Sequence, residues 1–161
     1  MVTNAEVTPT LELTVNGEVH RVTADPATPL LHVLRNELGL TAAKLGCGLE
    51  QCRACAVLVD GDMVPSCVAP AGSFAGREII TPEGIGRPGA LHPVQRAFVE
   101  ERAAQCGYCI PAIALAAKAL LDVDPDPSDE EIRRALAGHL CRCGSHPRIL
   151  RAVRRAAREL A

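Results

Sequence analysis

Eight cysteines stand in the 161-residue sequence, in two sets of four: Cys47, Cys52, Cys55 and Cys67, then Cys106, Cys109, Cys141 and Cys143. Cysteines in such numbers serve either as disulfides or as metal ligands. The opening stretch, Met1 to Thr10, is polar and has no basic segment leading into an apolar one, so no secretory signal is expected. A cytoplasmic, reducing setting follows, with export alongside a signal-bearing partner left open, and metal ligation becomes the leading use of the thiols. The first set reads Cys-x4-Cys-x2-Cys with a distant fourth member, the plant-type ligand run of a [2Fe–2S] cluster. Three thiolates then converge from one loop and the fourth arrives from a neighbouring hairpin. Two ferric ions, two sulfides and four thiolates leave a dianion, which one electron turns into a trianion. Backbone N–H groups aimed at sulfur stabilise that charge, and Gly46 and Gly48 let the chain wrap closely enough to aim them. Four-cysteine zinc sites favour two short pairs, unlike this triplet. In the second set, Cys106-x2-Cys109 is separated by thirty-one residues from Cys141-x-Cys143, and spacing alone leaves iron–sulfur and zinc both open.

The elements that must position these ligands can be read from pattern. Leu11 to Val15 alternates apolar and polar residues, Asn16-Gly17 is a hairpin turn, and Glu18 to Val22 is the return strand. Leu30, Leu34 and Leu38 recur at helical spacing behind Pro29, with Gly39 as the stop. Ala56 to Val59, the turn Asp60-Gly61 and Met63-Val64 form a second hairpin, and Glu78 to Thr81 a last strand. The second half reads as four helices. These are Pro93 to about Ala104 with Val94, Ala97 and Phe98 inward, Pro111 to Leu121, a third from the capping box Ser128-x-x-Glu131 through Ile132, Leu136 and Leu140, and a fourth opened by Pro147 with Ile149, Leu150, Val153, Ala157 and Leu160 on one stripe. Between the halves, residues 81–90 are dense in Gly and Pro. The expected organisation is a first domain over residues 10–81, a linker over 82–92 and a second domain over 93–161. The fold class is α+β.

Composition narrows the function. Seventeen Lys and Arg against nineteen Asp and Glu give a net charge of −2, so no overall basic field favours nucleic acid. The aromatic residues are Phe74, Phe98 and Tyr108, too few for base- or sugar-stacking platforms. Hydrophobic residues make up 48%, enough for a buried core, and no run is long enough to span a membrane. No nucleophile–base pair, Walker loop or dinucleotide fingerprint is present, so no substrate-transforming site of its own is expected.

Taken together, Lys44-Leu-Gly-Cys-Gly-Leu-Glu-Gln-Cys-Arg-Ala-Cys55, Gln105-Cys-Gly-Tyr-Cys109 and Leu140-Cys-Arg-Cys-Gly144 resemble the iron–sulfur (small) subunits of the molybdenum hydroxylase family, which includes xanthine dehydrogenase. The resemblance runs from about Leu11 to Val153, with all eight cysteines in the family's order. It implies a β-grasp, ferredoxin-like N-terminal domain and a C-terminal four-helix bundle, each with one [2Fe–2S] cluster. It also implies an oxidoreductase role as the electron-transfer subunit of a hetero-oligomer. Single electrons would pass from molybdopterin in a large partner subunit, through the cluster of Cys106, Cys109, Cys141 and Cys143, to that of Cys47, Cys52, Cys55 and Cys67, and on to a flavin (FAD) or cytochrome (haem) partner. Gln105 matches a family glutamine that hydrogen-bonds the pterin, and Cys143 matches the ligand facing it; the plainer alternative for Gln105 is a helix-end amide satisfied locally.

The sequence also departs from the family. Glu50 and Arg53 stand where small residues are usual, and Ala112 where Gly is usual. If position 53 needs positive φ, Arg there costs roughly 1 kcal/mol relative to Gly. Cys143-Gly-Ser-His-Pro-Arg-Ile149 is closer to the isoquinoline oxidoreductase and nicotinate dehydrogenase branch, in which electrons often leave to a cytochrome. His139 and His146 flank the last cysteine pair, but with four thiolates in each set a Rieske arrangement is not expected. Arg148, Arg151, Arg154, Arg155 and Arg158 form either a docking face or a solvated one. Two other functions compete: a free-standing two-cluster ferredoxin, and a double four-cysteine zinc interaction module without redox activity.

Overall fold

The structure, a computed structural model, describes residues 9–161; most of the Met1–Thr10 stretch lies outside it. Five strands, β1 (Thr10–Val15), β2 (Glu18–Thr23), β3 (Ala56–Val59), β4 (Asp62–Pro65) and β5 (Glu78–Ile80), form one mixed sheet in the order β2-β1-β5-β3-β4. Both hairpin turns form where Asn-Gly and Asp-Gly stand. Asn16 and Gly17 have φ of 54° and 81°, and Asp60 and Gly61 of 51° and 93°, the left-handed pair whose twist matches the flanking strands. Thr10 then faces Thr23 across β1 and β2. The last strand closes the sheet from inside, with Val15 beside Ile79 in parallel and Leu58 opposite Ile80 in antiparallel register.

Ala56-Val-Leu-Val59 is apolar without alternation because β3 is buried on both faces. Val57 and Val59 point toward α1 (Leu30–Asn36), where Leu30, Leu31, Val33 and Leu34 are all buried, together with Leu13, Val15 and Ile79. Leu58, on the opposite face, belongs to the helical core. One strand therefore supplies both cores, and side chains of this kind contribute about 1.5–3 kcal/mol each when fully buried.

The second half contains α2 (Pro93–Glu100), α3 (Ile110–Val123), α4 (Asp129–Leu136) and α5 (His146–Leu160). Val94, Phe98, Ile113, Leu115, Ile132, Ile149 and Val153 fill the space between them. The Ser128/Glu131 capping box is present, Glu131 N–H donating to Ser128 Oγ and Ser128 N–H to Glu131 Oε2. A second box, with His92 as cap and Gln95 as its partner, starts α2. The helices differ from expectation in three respects. α2 stops at Glu100, and α4 stops at Leu136, before Gly138, so that Leu140 leaves the helical stripe and is 60% exposed. α5 buries Ala152 and Ala156 where the pattern suggested Leu160, because small side chains let it lie close along α2. Residues 82–85 form a 3-10 turn packed on α3, with Ile85 buried. No helix among the described residues is long and apolar enough to cross a membrane.

The basic stripe of α5 is largely satisfied within the chain. Arg151 and Arg155 pair with Glu101, Arg154 with Asp129, and Arg155 also with Glu100. Such exposed pairs are worth little each, about 0–1 kcal/mol, but they leave the stripe largely neutralised against α2 and α4.

Candidate metal centres

The first ligand loop is closed at its base by Lys44 N–H donating to Ala54 O at 3.0 Å. It is held from behind by Arg35, whose Nη1 donates to Thr41 O and Ala43 O, and by Glu83, whose carboxylate accepts from Ala42 N–H at 2.7 Å. Cys47 and Cys52 lie at the tip, Cys55 at the entrance of β3 and Cys67 just beyond β4. Ser66 fixes that last position. Its buried Oγ donates to Cys55 O at 2.7 Å while its carbonyl caps the start of α1 through Leu31 N–H. The fourth ligand is thereby tied to the third and to the helix that holds the first core.

Within this set the thiols pair two by two. Cys47 lies beside Cys52, each sulfur accepting from the other residue's amide, and Cys55 lies beside Cys67. The second set repeats the pairing, with Cys106 against Cys143 and Cys109 against Cys141. One tetrahedral zinc needs four sulfurs around a single point; a two-iron rhomb needs one pair at each end. The donor set fits the second.

Amides reach the outer pair of the first set. Leu49 N–H and Cys52 N–H donate to Cys47 Sγ at 3.3 and 3.4 Å, and Cys47 N–H to Cys52 Sγ at 3.3 Å. These donors bring the exposed Cys47 thiol down to about 7. Burial and the neighbouring Cys67 push Cys55 up to about 11. Cys109 is likewise raised to about 12 by burial and by Cys141. A bound metal overrides such values, because a coordinating thiol is deprotonated outright. A Cβ at Gly46 would lie 2.5 Å from Cys52 Sγ, so that glycine is required by the sulfur and not by its own backbone. Glu50 and Arg53 adopt φ of 60° and 55°; the expected left-handed geometry at position 53 is present, at a cost of about 1 kcal/mol.

The second set sits at two helix starts. Cys109 is the N-cap of α3, Cys106 precedes it, and Cys141 and Cys143 lie on the turn that enters α5. Helix N-termini carry partial positive charge, which favours thiolates and an anionic cluster. Ser145, the N-cap of α5, is buried beside Cys141, and its Oγ has no hydrogen-bond partner among the described residues. Gln105 is exposed, and its Nε2 donates to Cys143 O at 3.3 Å, which holds the amide beside the fourth ligand. His139 is 3% exposed with neither ring nitrogen hydrogen-bonded; burial, and secondarily the Arg53 guanidinium, lowers it to about 4. His146 lies exposed in the first turn of α5.

The two sets face each other. Tyr108 Oη donates to Leu45 O at 2.5 Å, and Leu140 N–H donates to Cys52 O at 3.2 Å. A cavity of about 490 Å³ lies between the halves, bordered by Cys47, Cys52, Cys106, Cys109 and Cys141. Sequence patterning does not disclose these cross-links, since nothing in a tyrosine or a backbone amide marks its distant partner.

The chain is similar to known proteins over most of its length. Residues 13–78 match a 2Fe–2S iron–sulfur cluster binding domain and residues 81–154 a [2Fe–2S] binding domain. One of the subunits of nicotinate dehydrogenase from Pseudomonas putida is 57% identical over 92% of this chain and 94% of its own length. The alpha chain of isoquinoline 1-oxidoreductase from Brevundimonas diminuta is 44% identical over 94% of this chain and 99% of its own. The crystal structure of the aldehyde oxidoreductase from Desulfovibrio desulfuricans superposes with a TM-score of 0.90 at 42% identity, covering 94% of this chain but only 17% of that one. The chain belongs to the family of iron–sulfur subunits of molybdenum hydroxylases. It is accordingly one component of an oxidoreductase and carries two [2Fe–2S]-binding domains.

Proposed function

We propose that this chain carries single electrons out of a molybdopterin-bearing large subunit, with Cys106, Cys109, Cys141 and Cys143 holding the inner [2Fe–2S] cluster and Cys47, Cys52, Cys55 and Cys67 the outer one. The observation that carries the reading is the two-by-two pairing of the thiols in both sets. When bound, each cluster supplies a one-electron centre. The polypeptide fixes their separation, through Tyr108 and Leu140, and surrounds the sulfurs with amides and helix N-termini. The domains are read as a β-grasp unit over residues 10–81 and a four-helix bundle over 93–161, joined by 82–92. Gln105, whose Nε2 is anchored on Cys143 O, would hydrogen-bond the pterin through its amide. The similarity to nicotinate dehydrogenase and isoquinoline oxidoreductase subunits favours an N-heteroaromatic substrate for the large partner; in this reading the next acceptor is a cytochrome or flavin and assembly takes place in the cytoplasm.

Purification of the complex tests this. About four iron and four acid-labile sulfide per chain are expected, with two paramagnetic centres after dithionite and a co-purifying larger chain that contains molybdenum. Stoichiometric zinc in a colourless sample would support the interaction-module alternative instead. A stable red-brown monomer without a partner would support the free ferredoxin.

A further inference from the structure

Arg53 departs from what its position requires. It lies between two ligands of the first set, in a left-handed conformation that suits glycine, and its side chain is half-buried instead of extending into water. It crosses to the other half of the molecule. A Cβ placed on Gly138 would lie 2.7 Å from Arg53 Nε and 2.9 Å from its Cδ and Cζ. Gly138 is not in the left-handed region, so its own backbone does not call for glycine; what it provides is room for the guanidinium. The adjacent His139 is buried and has no acidic partner for that charge. Among the described residues Arg53 makes no ion pair either, unlike Arg77, Arg96 or Arg154. A planar cation is thus seated, without a counter-anion, between Cys52 of one set and the turn that leads into Cys141 of the other. Backbone strain accepted for such a placement is a mark of a role for the side chain.

We propose that Arg53, seated over Gly138, is a charge that raises the reduction potential of the first cluster. The inference rests on the two-cluster reading above. One electron added to the first cluster converts a dianion into a trianion, with no proton taken up and no bond broken, and a fixed cation beside it favours the product. A unit charge within about 10 Å at an effective dielectric near 20 changes that equilibrium roughly tenfold. Lys would keep the charge but lose the flat fit over Gly138.

The test is a potentiometric titration of the purified complex, followed by low-temperature EPR, for the wild type and for Arg53→Gln, Arg53→Lys and Gly138→Ala. Arg53→Gln is expected to make reduction of the first cluster about tenfold less favourable, a shift of about 59 mV to lower potential for one electron. Arg53→Lys should lose less than half of that. Gly138→Ala leaves every charge in place and displaces the guanidinium, so a smaller shift of the same sign is expected. Unchanged potentials in Arg53→Gln, with full iron, sulfide and both signals retained, would overturn the inference while leaving the two-cluster reading intact. If Arg53→Gln loses the first cluster, Gly138→Ala decides, and an unaltered potential there overturns the inference. Absence of sulfide or of both signals in the wild type would instead refute the two-cluster reading.

Discussion

Replacing Gly46 by Ala should empty the first metal centre and leave the second intact. The added Cβ would sit 2.5 Å from Cys52 Sγ and 3.4 Å from Ala54 Cβ. A carbon–sulfur contact needs about 3.5–4.0 Å, so the sulfur must retreat by roughly 1 Å. Ligand positions in metal sites tolerate only about 0.2 Å. Overpacking of this kind costs about 1–3 kcal/mol, and the loop cannot absorb it cheaply, because Lys44 N–H to Ala54 O closes its base and Leu140 N–H holds Cys52 O. The expected product contains about half the wild-type iron and sulfide and one paramagnetic signal in place of two. Gly48→Ala is the control. Gly48 has φ of 67° with only Leu45 Cδ1 at 3.9 Å from the new atom, so it should cost about 1 kcal/mol in stability and keep both clusters. Iron and sulfide analysis with EPR reads both variants. Full loading of Gly46→Ala with unaltered signals would show that the sulfur has more room than these distances allow.

Three further outcomes follow from the same geometry. Tyr108→Phe removes the hydroxyl that joins the ligand loops, and thermal unfolding of the holoprotein should register a loss of about 1 kcal/mol. Ser128→Ala abolishes the capping box of α4, which should cost about 0.5–2 kcal/mol by denaturant titration, without changing the visible spectrum. After cluster removal, iodoacetamide should modify Cys47 increasingly as pH rises through about 7, because the thiolate is the reactive form and its amide donors lower that value. Cys55 and Cys109, held at about 11 and about 12, should stay unmodified over the same range by peptide mass analysis.

Much of the local structure is legible in the sequence because its causes are local. Asn16-Gly17, Asp60-Gly61, the Ser128/Glu131 box and Pro147 each carry their own geometric instruction, and all four act where they stand. The cysteine spacings define two ligand sets, and the pairing within each set is visible only in three dimensions. Period alone puts Leu140 on a helix stripe, yet Gly138 ends the regular turn and the residue becomes a surface position that binds Cys52 O through its amide. The parallel insertion of β5 between β1 and β3 is not legible, since a three-residue strand carries no mark of its neighbours. Nor is the basic stripe of α5 resolvable, because its partners Glu100, Glu101 and Asp129 lie on or beside other helices.

The clasp formed by Leu140 N–H on Cys52 O and Tyr108 Oη on Leu45 O has a bearing on how such a chain can vary. Electron tunnelling depends steeply on distance, and in the proposed two-cluster arrangement that distance is held by these two hydrogen bonds. Residues 86–92 take no part in these bonds. Insertions there can lengthen the tether between the halves and leave the gap the electron must cross unaltered.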